Sequence, residues 1–189
     1  MEEVILTDGL NKQEAKEEIY TEREFTYIFE NYYKRVYNYI YYRVNNIYIA
    51  EDLTSGVFEK VMSKINTYSK NKSPFEVWLF AIARNIVKDH YRKSKKRSIF
   101  SIDKIKELIS KEKGPEEIIV KEESKDEILK AMDILDSRGR NIIAFKFGGN
   151  LKNKEIARLL DITETNVGVI LYRSMKKLKA EMEKEGEYE

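Results

Sequence analysis

The chain of 189 residues carries 35 Lys and Arg against 33 Asp and Glu, a net charge of +2, with 42% hydrophobic residues and only 8 Gly and 2 Pro. So few turn-formers disfavour sandwich folds, and the length suits one ordinary domain or two small ones. With no Cys, one His (His90) and no GxxxxGK[ST] phosphate loop, no disulfide, paired-ligand metal site, cofactor site or catalytic constellation is expected.

No apolar run approaches the ~20 residues of a membrane span, and the start MEEVILTDGL lacks the basic leader of a signal peptide. The expectation is a non-catalytic cytoplasmic protein that is not membrane-inserted and takes no small-molecule substrate.

Residues 1–22 read as an acidic arm with at most a short helix, since residues 1–24 hold eight acids against three bases. From Glu24, Phe25, Ile28, Phe29, Tyr32, Tyr33, Val36, Tyr37 and Ile40 recur at helical spacing, which predicts a buried helix with an aromatic face. A second helix follows with Leu53, Val57, Val61 and Ile65 four apart and Phe58 and Met62 beside them. It breaks at TYSKNKSP.

The third helix starts at Ser73-Pro74-Phe75-Glu76, which reads as a capping box with a proline at the first helical position. Trp78, Leu79, Ile82, Ala83, Ile86 and Val87 form its apolar face, which assigns Trp78 to the core. Arg84, Lys88 and Arg92 recur every fourth residue on another face. Between Arg84 and Arg97 seven bases stand against Asp89 alone, which is the footprint of a polyanion-binding face, of a solvated helix surface or of a flexible basic tail. His90 lies in this basic stretch, where a surface or phosphate contact is expected of it.

Residues 98–123 read as a linker, with one weak helix around Ile102, Ile105, Leu108 and Ile109 and a break at Gly114-Pro115. Beyond it Ile128, Leu129, Met132 and Leu135 open a second apolar cluster. Ile142, Ile143, Phe145 and Phe147 continue the cluster, and Gly148-Gly149-Asn150 ends its helix. The fold class is therefore all-α: two small helical domains, 23–97 and 124–184, joined by a flexible linker and followed by a tail, 185–189.

The stretch Leu151 to Leu178 reads as a helix-turn-helix. Its first helix, Lys154 to Leu160, buries Ile156, Ala157 and Leu160. Asp161 suits a left-handed residue in the turn, and Thr163 caps the second helix, which buries Val167, Ile170 and Leu171. The basic end of that helix can meet phosphates while its first turns face base edges. Two amphipathic helices in a bundle would give the same spacing.

Three segments resemble the extracytoplasmic-function sigma factors, small members of the sigma-70 family. AEDLTSGVFEKVMSKINTYS is similar to that family's core-polymerase-binding helix, usually A-E-D-L-x-Q-E-V-F. SPFEVWLFAIARNIVKDHYRK is similar to its promoter-opening helix, with the typical W-L-x-x-I-A-R-N run. KEIARLLDITETNVGVILYRSMKKL resembles its C-terminal helix-turn-helix.

The resemblance implies core RNA polymerase and promoter DNA as partners, and the family commonly has an anti-sigma factor as well. It implies polymerase binding through Glu51, Asp52, Leu53 and Glu59, with Asp52 able to serve as an N-terminal helix acid too. Minus-ten recognition and opening fall to Asn71 and Lys72 in the loop, with Arg84, Asn85, Lys88, Tyr91 and Arg92 on the helix.

Minus-thirty-five recognition falls to Thr165, Asn166, Val169, Arg173, Lys176 and Lys177. Relatives often carry Lys or Arg at the place of Gly168 and near Ile170, so here readout leans on Thr165, Asn166, Val169 and Arg173. Gly56 likewise stands where a polar residue is common. Two other readings fit the same residues: a helix-turn-helix regulator acting on operator DNA without polymerase, and a helical module binding acidic proteins.

Overall fold

Apolar side chains three and four apart along the first segment bury one stripe of a helix. In α1 (Thr7–Val44), Ile28, Val36 and Ile40 are buried in a core shared with α2 (Ile47–Lys64) and α3 (Phe75–Ser101). The computed structural model describes residues 7–101 and 128–185, and among them every regular element is helical.

α1 departs from the expected acidic arm because its backbone is helical from Thr7, giving a helix of 38 residues. The α1–α2 corner rests on punctuation that periodicity does not reveal. Asn45 adopts φ 49°, a left-handed conformation Asn tolerates, and Asn46 caps α2 by accepting from Ile49 N at 2.9 Å.

Two local expectations are corrected. At the start of α3 the Ser73 hydroxyl donates to the Pro74 carbonyl at 3.1 Å, and the Glu76 carboxylate reaches across to Tyr32 Oη at 3.2 Å, so the capping box does not form. Trp78 N donates to the Pro74 carbonyl, which leaves Pro74 at the boundary of the helix. Met62 and Phe147, read as core, are 58% and 52% exposed.

In the second domain Leu129, Met132 and Leu135 cluster with Ile143 and Leu178. α4 (Ser137–Ile143) is capped by Asp136, whose carboxylate accepts from Gly139 N at 2.6 Å. A wide π-type turn, Ala144–Gly148, leads to α5 (Asn153–Leu160) and α6 (Glu164–Glu185). The expected linker helix around Ile105 lies outside the described residues, while its first residues, 98–101, continue α3.

The two domains pack on each other through side chains that the helical stripes do not mark. Tyr39 stacks on Phe145 with centroids 4.4 Å apart, and Phe80 meets Tyr39 edge-on at 5.7 Å; all three are fully buried. Tyr39 Oη donates to Asn141 Oδ1 at 3.1 Å, and its burial pushes the phenol pKa well up, so the neutral form is the one held.

Gly148 and Gly149 act as the seat of this contact. A Cβ at Gly148 would lie 2.8 Å from the Asn38 backbone, and one at Gly149 would lie 2.8 Å from the Phe80 ring. Three arginines of the first domain then donate to carbonyls of the second: Arg35 to Gly149, Arg43 to Ser137, and Arg84 to Leu159. Burying one Phe ring contributes about 1.5–3 kcal/mol, against about 1 kcal/mol for a hydrogen bond, so the aromatic cluster dominates the docking.

A protease that cuts between residues 102 and 127 should therefore yield two folded fragments that still elute together in gel filtration. Fragments that run separately at micromolar concentration would show that the aromatic contact is too weak to hold without the covalent connection.

Candidate nucleic-acid interface

The helix-turn-helix forms largely as its sequence reads. Asp161 closes α5 with φ 53° and ψ 53°, and Thr163 Oγ1 accepts from Asn166 N at 3.1 Å to cap α6. At the front of α5, Lys152 N donates to the Glu155 carboxylate at 2.8 Å. Ile156, Ala157 and Val167 are buried between the helices; Leu159 is buried and Leu160 only half-buried, the reverse of the expected stripe.

The outward face of α6 is open. Thr165, Asn166, Val169, Arg173, Lys176 and Lys177 are all exposed, so this predicted set shares one accessible helix. A Cβ built at Gly168 meets nothing within 4 Å, and Gly168 leaves a notch beside Val169. Tyr172, which the sequence reading passed over, is 71% exposed and lines the same shallow groove as Thr165, Val169 and Arg173. An aromatic ring four residues beyond Gly168 was the available signal.

The predicted minus-ten residues divide. Asn71, Lys72, Asn85, Lys88 and Arg92 are exposed, and Arg92 pairs with Asp89 at 3.2 Å. Arg84 is instead committed to the carbonyl of Leu159 at the end of α5, where a guanidinium satisfies a terminal carbonyl and favours the helix dipole. Tyr91 Oη donates to the Arg43 carbonyl at the end of α1.

The loop before α3 is a hydrogen-bonded turn. Lys72 N and Ser73 N donate to the Ser69 carbonyl at 3.0 and 3.3 Å, and Tyr68 Oη donates to the Ser73 carbonyl at 3.1 Å. Trp78 is half-buried and packs on Tyr68 and Phe75 at 5.4 and 5.6 Å, so it supports the loop from beneath.

Beside this turn lies a cavity of about 820 Å³ walled by Tyr27, Tyr32, Tyr68 and Phe75, with Lys70 at its edge. Burial and the adjacent Glu76 carboxylate raise the Tyr32 phenol to about 12. Sequence reasoning missed this cavity because its rings come from two helices and a turn.

On α2, Glu51, Asp52 and Glu59 form an exposed acidic face, while Leu53 is half-buried against the core and turns away from them. α2 starts at Ile47 and has no acid in its first turn, so Asp52 sits too far along to serve as an N-terminal dipole acid. Gly56 has open space around it. Among the described residues no group of three acids or His could hold a metal, and no helix is long and apolar enough to cross a membrane.

A helix-turn-helix with an open recognition helix, joined to a second domain with a basic helix and an acidic face, defines a class of DNA-binding protein. The model for Sigma-70 region 2 matches residues 28–97, and that for Sigma-70, region 4 matches residues 125–178. The chain belongs to the sigma-70 family, in its extracytoplasmic-function (ECF) group.

The chain is 30% identical over 154 residues to the ECF RNA polymerase sigma factor BldN of Streptomyces coelicolor, covering 82% of this chain and 58% of the relative. It is 26% identical over 166 residues to the ECF RNA polymerase sigma factor SigX of Bacillus subtilis, covering 86% and 85%. The sigma factor RpoE in complex with the anti-sigma factor NepR from Bartonella quintana shares the fold with a TM-score of 0.64 at 16% identity, over 85% of this chain and 98% of that one.

Proposed function

We propose that this protein binds core RNA polymerase and directs promoter-specific initiation as an alternative, signal-responsive sigma factor. What supports the reading is the family membership together with three separate surfaces on one chain. These are the acidic face of α2, the basic α3 beside an aromatic cavity, and the open recognition helix α6. The acidic face docks on polymerase. Asn71 and Lys72 hold an extruded minus-ten base near the aromatic cavity, whose rings offer stacking to any base. Asn85, Lys88 and Arg92 hold the adjoining backbone. An anti-sigma factor, as RpoE has in NepR, completes the partners.

The test is co-purification with core polymerase followed by run-off transcription from genomic fragments. Asp52→Lys should lower core affinity at least tenfold, about 1.4 kcal/mol, without changing helical content, since the Asp52 side chain is exposed and makes no ion pair among the described residues. Wild-type affinity no better than that of an unrelated helical protein removes the sigma reading. A regulator acting alone on operators would usually form a dimer across two half-sites, which sedimentation would reveal.

The notch at Gly168 lets α6 approach the major groove closely, bringing the exposed Val169 against base edges. A valine methyl has no hydrogen bond to offer, so its natural counterpart is the thymine C5-methyl. Replacing thymine by uracil throughout the minus-thirty-five element should weaken recruitment about threefold to tenfold, and Val169→Ala should abolish the difference between the two bases. Equal recruitment of thymine and uracil templates by the wild type would assign readout to Asn166 and Arg173 alone.

A further inference from the structure

Docking of the two domains encloses a cleft of about 770 Å³ lined from both sides. Arg43, Arg84 and Lys88 reach it from the first domain, and Arg138 and Arg140 from the second; among the described residues Asp133 is the one acid on its wall. Asp133 is already paired with Arg140. Arg43 and Arg84 donate to backbone carbonyls, which accept hydrogen bonds but cancel no charge. Lys88 and Arg138 have exposed side chains and no ion pair among the described residues. Arg43 Nε is buried without a hydrogen-bond partner among the described residues.

Closing the domains thus brings cations from opposite walls toward one another and leaves a guanidinium donor unused. Like charges gathered in a partly desolvated cleft oppose the closure unless an anion sits between them. Guanidinium forks match phosphate oxygens bidentately, and Lys88 adds a point charge. The volume lies in the range of small-molecule sites. Cations on two walls suit a ligand with separated anionic groups better than a single ion.

We propose that this cleft binds a small molecule carrying two or more phosphate groups, and that the bound anion holds the domains together. Its consequence for transcription rests on the sigma reading above; the binding itself does not. Minus-ten and minus-thirty-five elements lie about 25 base pairs apart, on the order of 80 Å of duplex at 3.4 Å per pair. Docked domains sharing one core cannot reach both, and Arg84 is turned from DNA to Leu159. The anion is therefore an inhibitor of promoter binding.

Inorganic tripolyphosphate is the probe, titrated calorimetrically into the full chain at 0.15 M salt, with sulfate at matched ionic strength as the reference. One equivalent should bind at least tenfold more tightly than sulfate. Arg138→Gln, at an exposed side chain outside every proposed polymerase and DNA contact, should weaken it at least fivefold; Lys179→Gln, on the far part of α6, should leave it unchanged.

The chain has no native cysteine, so fluorophores at Ser55→Cys and Ala180→Cys report domain separation cleanly. In a Gly148→Val background, where the added Cβ meets the Asn38 backbone and weakens docking, energy transfer should rise at the tripolyphosphate concentration that saturates the wild type, and should rise less when Arg138→Gln is added. Tripolyphosphate binding no tighter than sulfate, or unaltered by Arg138→Gln, or without change in energy transfer, overturns the proposal. Core-polymerase binding by the same preparations without anion tests the sigma reading separately.

Discussion

Gly148→Val should separate the two domains while each stays folded. Gly148 lies outside the left-handed region, so glycine is not required there by φ. The requirement is space, because the added Cβ would meet the carbonyl carbon and oxygen of Asn38 at 2.8 Å. Those are backbone atoms within the long helix α1, and they cannot swing aside as a flexible side chain would.

Overpacking of this kind costs about 1–3 kcal/mol, and a clash with backbone lies toward the upper figure, on the order of a hundredfold change in the ratio of docked to separated forms. Small-angle scattering should register the separation as a larger radius of gyration, with no loss of helical content. Gly168→Val, where a Cβ meets nothing within 4 Å, is the matched control and should leave the radius unchanged. An unchanged radius in Gly148→Val would mean that the tyrosine and phenylalanine contact tolerates a shift of α1, and that the glycine serves something else.

The two proposed DNA surfaces should fail in different ways. Asn166→Ala or Arg173→Ala on α6 should reduce recruitment to duplex promoters, costing about 1–3 kcal/mol where a base edge is contacted and shifting preference at one base position. Loss of a lysine that meets only phosphate, such as Lys177, should weaken all sequences alike and reduce the salt dependence. Asn71→Ala or Lys72→Ala should leave closed-complex recruitment largely intact and slow strand opening. A template with a pre-melted minus-ten bubble separates the classes in one assay. It should restore part of the loop variants' activity and none of the α6 variants'; equal rescue of both would show that the surfaces are misassigned.

The helices of each domain were legible because each repeats its buried residues at the period of the helix. Val57 and Val61, Leu79 and Ala83, and Ile156 and Val167 were all placed in the core by spacing alone. The turn of the helix-turn-helix was equally legible, because Asp161 and Thr163 are each suited to the one conformation they adopt.

Residues facing the other domain were not legible. Tyr39 and Phe80 stand off the main stripes of α1 and α3 and look like surplus aromatics until Phe145 is placed against them. Gly148-Gly149 reads as a helix stop, since a sequence shows that a side chain is missing and not what would collide with it. Arg84 belongs to a basic periodicity that does mark a charged face, yet its tie to Leu159 depends on a long-range arrangement. The capping box failed for the same reason: Glu76 found Tyr32, a partner from another helix.

The docked domains remain parts of one chain, which sets a threshold for anything that would come between them. Twenty-six residues join the described segments, 102–127, and whatever path they take they span no more than roughly 95 Å. Confinement to a sphere of that radius fixes the effective concentration of one domain around the other at about 0.5 mM or more. A macromolecular partner present near 1 μM therefore competes with a neighbour several hundredfold more abundant, a handicap of about 3.5 kcal/mol before any contact is compared. Opening by a partner must draw on surfaces that docking leaves free, and the acidic face of α2 and the outward side of α6 are two such surfaces.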